Sequence, residues 1–398
     1  MFQKRIAAKN KFIATVLAFA VIPISGLATD IYLPSMPEMA THLGLSETRI
    51  QLTLSLFLIS YGISQFFVGA IADAFGRYWL SLVSLFLFVI SFYWTAHTGN
   101  IYVIYFNRII QGVLAGCAVV SKRAFFVDVY EGDERKHYLS IMTIVWSLAP
   151  IIAPFIGGYL QAHFGWESNF LVLAVYAAAL LILELVFSGE TLKERKKFQS
   201  KTLVHEFKVM LATKDFFYGM LMCGISYAMV MFYNLSGPFI IEHQMKFSAV
   251  VTGYASLIMG LAWMCGGFLG RAMIKTAFLP KIRNANFIQL LLIALMFGTS
   301  YWISDLYTLV IFAFLIHLTA GFIFNNYFSY CLGRFPKSAG IAGGLTGGVA
   351  FVLTSALSYA VVAVLHPFSQ SVLSIGYFIM AMLGLMVLML VKFKKAHS

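Results

Sequence analysis

A succession of apolar runs, each about twenty residues long and closed by charge, glycine or proline, restricts this chain more than any other feature. A hydrocarbon core about 30 Å thick is crossed by about 20 residues of helix. Runs of that kind cover residues 12–33, 47–72, 78–97, 101–123, 138–160, 167–188, 215–241, 248–272, 284–303, 307–331, 338–364 and 368–391. Backbone polar groups in lipid must be satisfied within the segment that carries them, so each run is expected to be helical. The expected fold class is an all-α membrane protein with twelve transmembrane helices. Composition agrees: 60% of the chain is hydrophobic and 11% is charged, against about 25% charged in a soluble domain. A water-soluble globule is excluded.

Where the charges fall tests the count, because Lys and Arg collect in cytoplasmic loops. With the amino terminus in the cytoplasm, one side takes Lys4, Arg5, Lys9, Lys11, Arg77, Lys122, Arg123, Arg135 and Lys136, the run from Lys193 to Lys214, then Arg271, Lys275, Lys281, Arg283, Arg334, Lys337 and Lys392 to Lys395. Arg49 and Lys246 fall on the other side, and Arg108 lies within a span. Both termini are therefore expected in the cytoplasm of a bacterial inner membrane. The polar stretch 189–214 reads as a basic cytoplasmic linker between a six-helix bundle at 1–188 and another at 215–398. Anionic head groups would meet that linker.

The net charge of +12 is explained by this topology, so no nucleic-acid partner is expected. Cys117, Cys223, Cys265 and Cys331 stand singly in apolar stretches, a pattern of packing residues with no metal site. The basic start and first apolar run resemble a signal peptide, but the run is longer than an h-region and ends at Asp30, so it is expected to be retained. Neither H-E-x-x-H nor G-x-S-x-G occurs, and nothing else points to an enzyme or a cofactor. The expected partners are the bilayer, a small-molecule substrate and protons, with the chain acting as a monomer.

Charges and amides inside apolar runs need a partner or water, and they mark functional sites. Asp30 closes the first run, with Pro34 and Pro37 just beyond it as the expected end of that span. A carboxyl facing a partly dry cavity can take up a proton on one side and release it on the other. Arg108 lies about seven residues inside the fourth run, and Gln111 follows on the same face. In the second bundle Tyr227, Tyr233 and Asn234 in the seventh run and His317, Asn325, Asn326 and Tyr330 in the tenth are polar residues within apolar runs. Gly69, Asp73, Gly76 and Arg77 must reverse the chain after the second run and are expected to form a cytoplasmic gate, with Asp128 as partner to Arg77. Pro150, Pro154, Gly157 and Gly158 mark a bent, closely packed fifth run. Glu184 is expected to snorkel to the cytoplasm without a coupling role.

Gly69-Ala-Ile-Ala-Asp73-Ala-Phe-Gly76-Arg77 resembles the loop signature between the second and third helices of the major facilitator superfamily. Arg108-Ile-Ile-Gln111-Gly112 is similar to its R-x-x-Q-G motif, and Ala149-Pro150 through Gly157-Gly158 to its antiporter motif. Thr29-Asp30-Ile-Tyr-Leu-Pro34-Ser-Met-Pro37 looks like the T-D-x-Y-L-P-x-x-P of the Bcr/CflA drug exporters. Two positions depart from those patterns: Glu167 stands where Arg is usual after Gly165-Trp166, and Ala153 where Gly is usual. The resemblance implies two pseudo-symmetric six-helix bundles, a substrate cavity lined by the seventh and tenth runs, a proton-coupling pair at Asp30 and Arg108, and export of a small amphiphilic drug, toxin or siderophore-like metabolite. Proton-coupled uptake and a non-transporting receptor remain as alternatives.

Overall fold

The computed structural model describes residues 5–192 and 200–390. Lys4, the linker charges from Lys193 to Lys197 and Lys392 to Lys395 lie outside the described residues. The chain divides into two compact units, Met1–Gln199 and Ser200–Ser398.

Unit 1 holds span 1 (Ala8–His42), span 2 (Glu47–Gln65 joined to Val68–Phe75 through a 58° bend), span 3 (Arg77–Ala96), span 4 (Ile101–Val129), span 5 (Gly132–Phe164) and span 6 (Glu167–Phe187). Unit 2 holds span 7 (Lys214–Gln244), span 8 (Ala249–Ala272), span 9 (Phe278–Thr299), span 10 (Leu306–Arg334), span 11 (Ala339–Leu365) and span 12 (Gln370–Leu390). Among the described residues that makes twelve apolar helices, with the bent pair counted as one.

Span 3 shows why such helices are stable in lipid. Val83, Phe86, Leu87, Ile90 and Trp94 form an exposed apolar stripe at helical spacing. Its opposite face buries Ser81, Ser84, Ser91 and Thr95. The hydroxyls of Ser84, Ser91 and Thr95 donate to carbonyls three or four residues back in the same helix, which satisfies them without water.

Three features differ from the sequence reading. Span 1 does not end near residue 33: the helical path continues through Leu33–Ser35 and Met36–His42. Pro34 and Pro37 each sit in the first turn of one of these short segments, where a missing N–H costs nothing. Asp30 therefore lies in the interior of the span. Part of the linker is not merely solvated: Ser200–Ala212 is a helix whose Leu203, Glu206, Phe207 and Met210 turn inward at i, i+3, i+4, i+7 spacing. Met210 is buried and Ser338 donates to Glu206 at 3.3 Å. Glu184 is buried inside the protein and does not snorkel, as described below.

Small residues bring the helices of unit 1 together. A side chain at Gly112 would run into Ser60 and the Phe57 carbonyl, and one at Gly116 into Ser64, so spans 2 and 4 touch almost backbone to backbone. Likewise a Cβ at Gly26 would meet Ala149 at 2.8 Å, and one at Gly157 would collide with the Ile31 carbonyl. The proline and glycine run of span 5 is thus packed on span 1 beside Asp30, and the helix continues through Pro150 and Pro154. Gly157→Val is expected to destabilise the protein by about 3 kcal/mol or more, since backbone rather than a movable side chain blocks it. Melting of purified protein in detergent checks this, with Ile156→Val at an exposed position as a control expected to change little.

Candidate functional site

Unit 1 gathers its polar side chains around Arg108, which is fully buried. The guanidinium is held by backbone and amide acceptors: Nη1 donates to the Ala28 carbonyl at 2.9 Å and to Gln111 Oε1 at 3.1 Å, and Nε to the Thr53 carbonyl at 3.4 Å. Its plane lies 4.5 Å from the Tyr32 ring and 4.6 Å from the Phe57 ring, a doubled cation–π contact worth about 2 kcal/mol per ring when desolvated. Gln111 passes the network on through its amide to Thr95 at 3.3 Å. Tyr32 and Thr53 hydroxyls share a hydrogen bond of 3.0 Å.

Asp30, 2% exposed, lies two residues beyond the Ala28 carbonyl that Arg108 grips. A fixed cation and a titratable acid are therefore enclosed in one protein interior built by spans 1, 2 and 4, facing neither lipid nor open solvent. Arg108 Nη2 has no hydrogen-bond partner among the described residues. An unfilled donor on a buried guanidinium is a place for a carboxylate, a carbonyl or water. Thr53, Phe57 and Thr95 belong to this cluster and carry no sequence signal of their own. Tyr32 had one, in the T-D-x-Y-L-P pattern.

At the junction of spans 2 and 3, Arg77 pairs with Asp73 at 2.9 Å and with Asp128, and donates to the Ala124 carbonyl at 3.2 Å. Asp128 sits in the last turn of span 4 and also accepts from Thr191 at 2.9 Å. Glu190, which the sequence assigns only to the linker, caps span 3: its carboxylate accepts from the backbone N–H groups of Arg77, Tyr78, Thr191 and Leu192. An anion there meets both the helix dipole and the unpaired amides of the first turn. Gly76 is required twice, by its φ of +101° and because a Cβ would strike the Glu190 carboxylate. Gly69 is the second residue of the short helix Val68–Phe75 after the bend in span 2.

Deeper than this network, Lys122 Nζ donates to Glu184 Oε2 at 2.7 Å with both side chains buried. This corrects the expectation that Glu184 snorkels, because its carboxylate is buried against Lys122. Each charge is held inside the protein by the other, 62 residues away in sequence. Removing one partner leaves an uncompensated buried charge, a loss of about 3–5 kcal/mol. Lys122→Met or Glu184→Leu alone is expected to lower the melting midpoint strongly, and the double substitution to recover most of it. A double-mutant cycle in detergent measures this; purely additive losses would contradict the coupling.

The candidates in unit 2 fall into separate groups. Tyr330 is near the carboxy-terminal end of span 10, where its hydroxyl donates to Asp215 at 2.8 Å beside Arg334 at 3.0 Å, so it is not placed with His317. Asn325 and Asn326 donate to carbonyls four residues back in span 10 and lie over Gly267 and Gly270 of span 8. Asn234 is buried beside Met231. Tyr227 is half-buried in an aromatic cage with Trp263, Phe324 and Phe351, its ring centroids 5.4–5.9 Å from theirs. His317 and Tyr233 are fully buried together, their rings 5.3 Å apart.

The major facilitator superfamily profile matches residues 18–359. The chain belongs to that superfamily. It is 30% identical over 83% of its length to an MFS-type transporter, YdgK, of Bacillus subtilis (strain 168), covering 84% of that protein. It is 27% identical to multidrug resistance protein D of Escherichia coli (strain K12), over 93% of this chain and 92% of the relative. Among solved structures the D-xylose–proton symporter superposes with a TM-score of 0.72 at 15% identity, over 94% of this chain and 97% of the other. The nucleoside transporter NupG superposes at 0.71, also at 15% identity, over 96% and 98%. These matches establish a multi-pass membrane transporter with the superfamily fold, and its relatives and neighbours are transporters and not enzymes.

Proposed function

We propose that this transporter exports small amphiphilic, largely aromatic molecules across a bacterial inner membrane in exchange for protons, with both termini in the cytoplasm. The observation that carries the reading is the enclosure of Asp30 and Arg108 in one buried cluster. A carboxyl in that setting exchanges its proton only when one side of the membrane gains access, and the neighbouring cation couples its charge to whatever else binds. Superfamily members move their substrates by alternating access between bundles, and the Asp73–Arg77–Asp128 network with its Glu190 cap would hold the inner side closed. The Tyr227 cage favours flat apolar or cationic solutes through π-face contact. The names of relatives such as multidrug resistance protein D support export, while neighbours such as the xylose symporter give uptake its standing as the competing direction.

Inside-out membrane vesicles with an acid interior discriminate these. Exchange predicts that ethidium, a planar aromatic cation, accumulates in the vesicles while the pH gradient collapses. Symport predicts that an accepted solute leaves the lumen together with protons. A pH gradient indifferent to ethidium and to a broader panel of amphiphilic compounds would contradict the export reading.

A further inference from the structure

Unit 2 contains a buried polar centre that the export reading does not use. His317 of span 10, Tyr233 of span 7 and Tyr377 of span 12 are each no more than 1% exposed. His317 lies edge to face with both phenol rings, at 5.3 Å from Tyr233 and 6.4 Å from Tyr377. His317 Nδ1 is 2.7 Å from the Ala313 carbonyl, which only accepts, so Nδ1 carries a hydrogen and Nε2 is left with its lone pair. His317 Nε2, Tyr233 Oη and Tyr377 Oη have no hydrogen-bond partner among the described residues.

Three orphaned polar atoms, from three helices and around one imidazole, are not a packing pattern, because leaving each one unmet costs about 1–3 kcal/mol. Their chemistry is complementary in two protonation states. A neutral Nε2 accepts from a phenol or from one water held between the three groups; a protonated Nε2 donates to a phenol oxygen or to that water. The phenols reverse roles without moving off the site. From spans 7 and 12 the two phenols are the titratable groups whose rings face His317.

The placement matches the centre in unit 1. There the first, fourth and sixth spans of the unit meet as Tyr32, Arg108 and Phe170, with Tyr32 5.4 Å from Phe170 and 4.5 Å from the guanidinium. In unit 2 the first, fourth and sixth spans meet as Tyr233, His317 and Tyr377. We propose that His317, with Tyr233 and Tyr377, forms a second proton-binding site in the carboxy-terminal unit, one that exchanges its proton with a single bound water. It stands on this geometry alone and holds whichever way substrate moves.

The test is nitrogen NMR of the full-length protein in detergent, labelled with ¹⁵N at histidine and scanned over about pH 5 to 9, the range in which imidazole ordinarily titrates. His317→Gln serves only to assign the signal. The expected result is a His317 Nε2 resonance that changes from unprotonated to protonated type across the range. Its midpoint should move by more than about half a pH unit in Tyr233→Phe or Tyr377→Phe, which keep the ring volume. In Asp30→Asn the midpoint should stay where it is. An Nε2 signal that stays unprotonated throughout, or a midpoint indifferent to both phenol deletions, overturns the proposal. Neither result bears on ethidium–proton exchange, which is measured separately.

Discussion

Asp30→Asn is expected to reduce pH-gradient-driven transport by about a hundredfold, the upper range of coupling between two ligands of one protein, while leaving gradient-independent exchange of ethidium across the membrane. Asparagine fills the same space inside span 1 and offers hydrogen bonds, so the packing of Asp30, 2% exposed, is kept and only the exchangeable proton is lost. Proteoliposomes report both quantities from one preparation: accumulation under an imposed gradient, and counterflow without one. Loss of both together would mean that the side chain holds the fold and not the proton. Retention of gradient-driven accumulation would place the coupling acid elsewhere.

Arg108→Lys is expected to be nearly as damaging, although it preserves the charge. Lysine has no planar fork to reach the Ala28 carbonyl and Gln111 at once, and a compact ammonium cannot fill the space between the Tyr32 and Phe57 rings. The loss is expected at about 2–4 kcal/mol of stability from the two ring contacts alone, with ethidium binding weakened as well. Melting and binding of the purified variant measure the two effects. A lysine variant that melts and binds like the parent would show that positive charge, and not the fork geometry, is what this position supplies.

Much of this architecture is legible in the sequence, for a physical reason. Lipid forces backbone polar groups into helices of a set length, so apolar runs mark the spans and charges mark their ends. What the runs do not carry is the partner of each buried polar group. Pro34 and Pro37 read as a helix end, since their tolerance in a first turn depends on how short segments are joined, and so Asp30 sits deeper than its neighbours imply. Glu184 reads as a snorkelling acid near a helix end because Lys122, which holds it inside, is far away in the chain. Glu190 reads as part of a solvated linker; its role at the start of span 3 depends on a glycine 114 positions earlier whose missing side chain makes room for it. The polar residues of the Arg108 cluster divide in the same way. Arg108 and Gln111 stand out by type, whereas Thr53 and Thr95 are hydroxyls of a kind that helices in lipid use anywhere.

The measurement closest to the central claim is proton release on ligand binding. Ethidium added to purified protein in weakly buffered detergent should expel about one proton per molecule bound near neutral pH, and none from Asp30→Asn, if ligand and proton compete through the Asp30–Arg108 cluster. Equal release from the two proteins, or ethidium bound tightly by the parent with no proton set free, would contradict it.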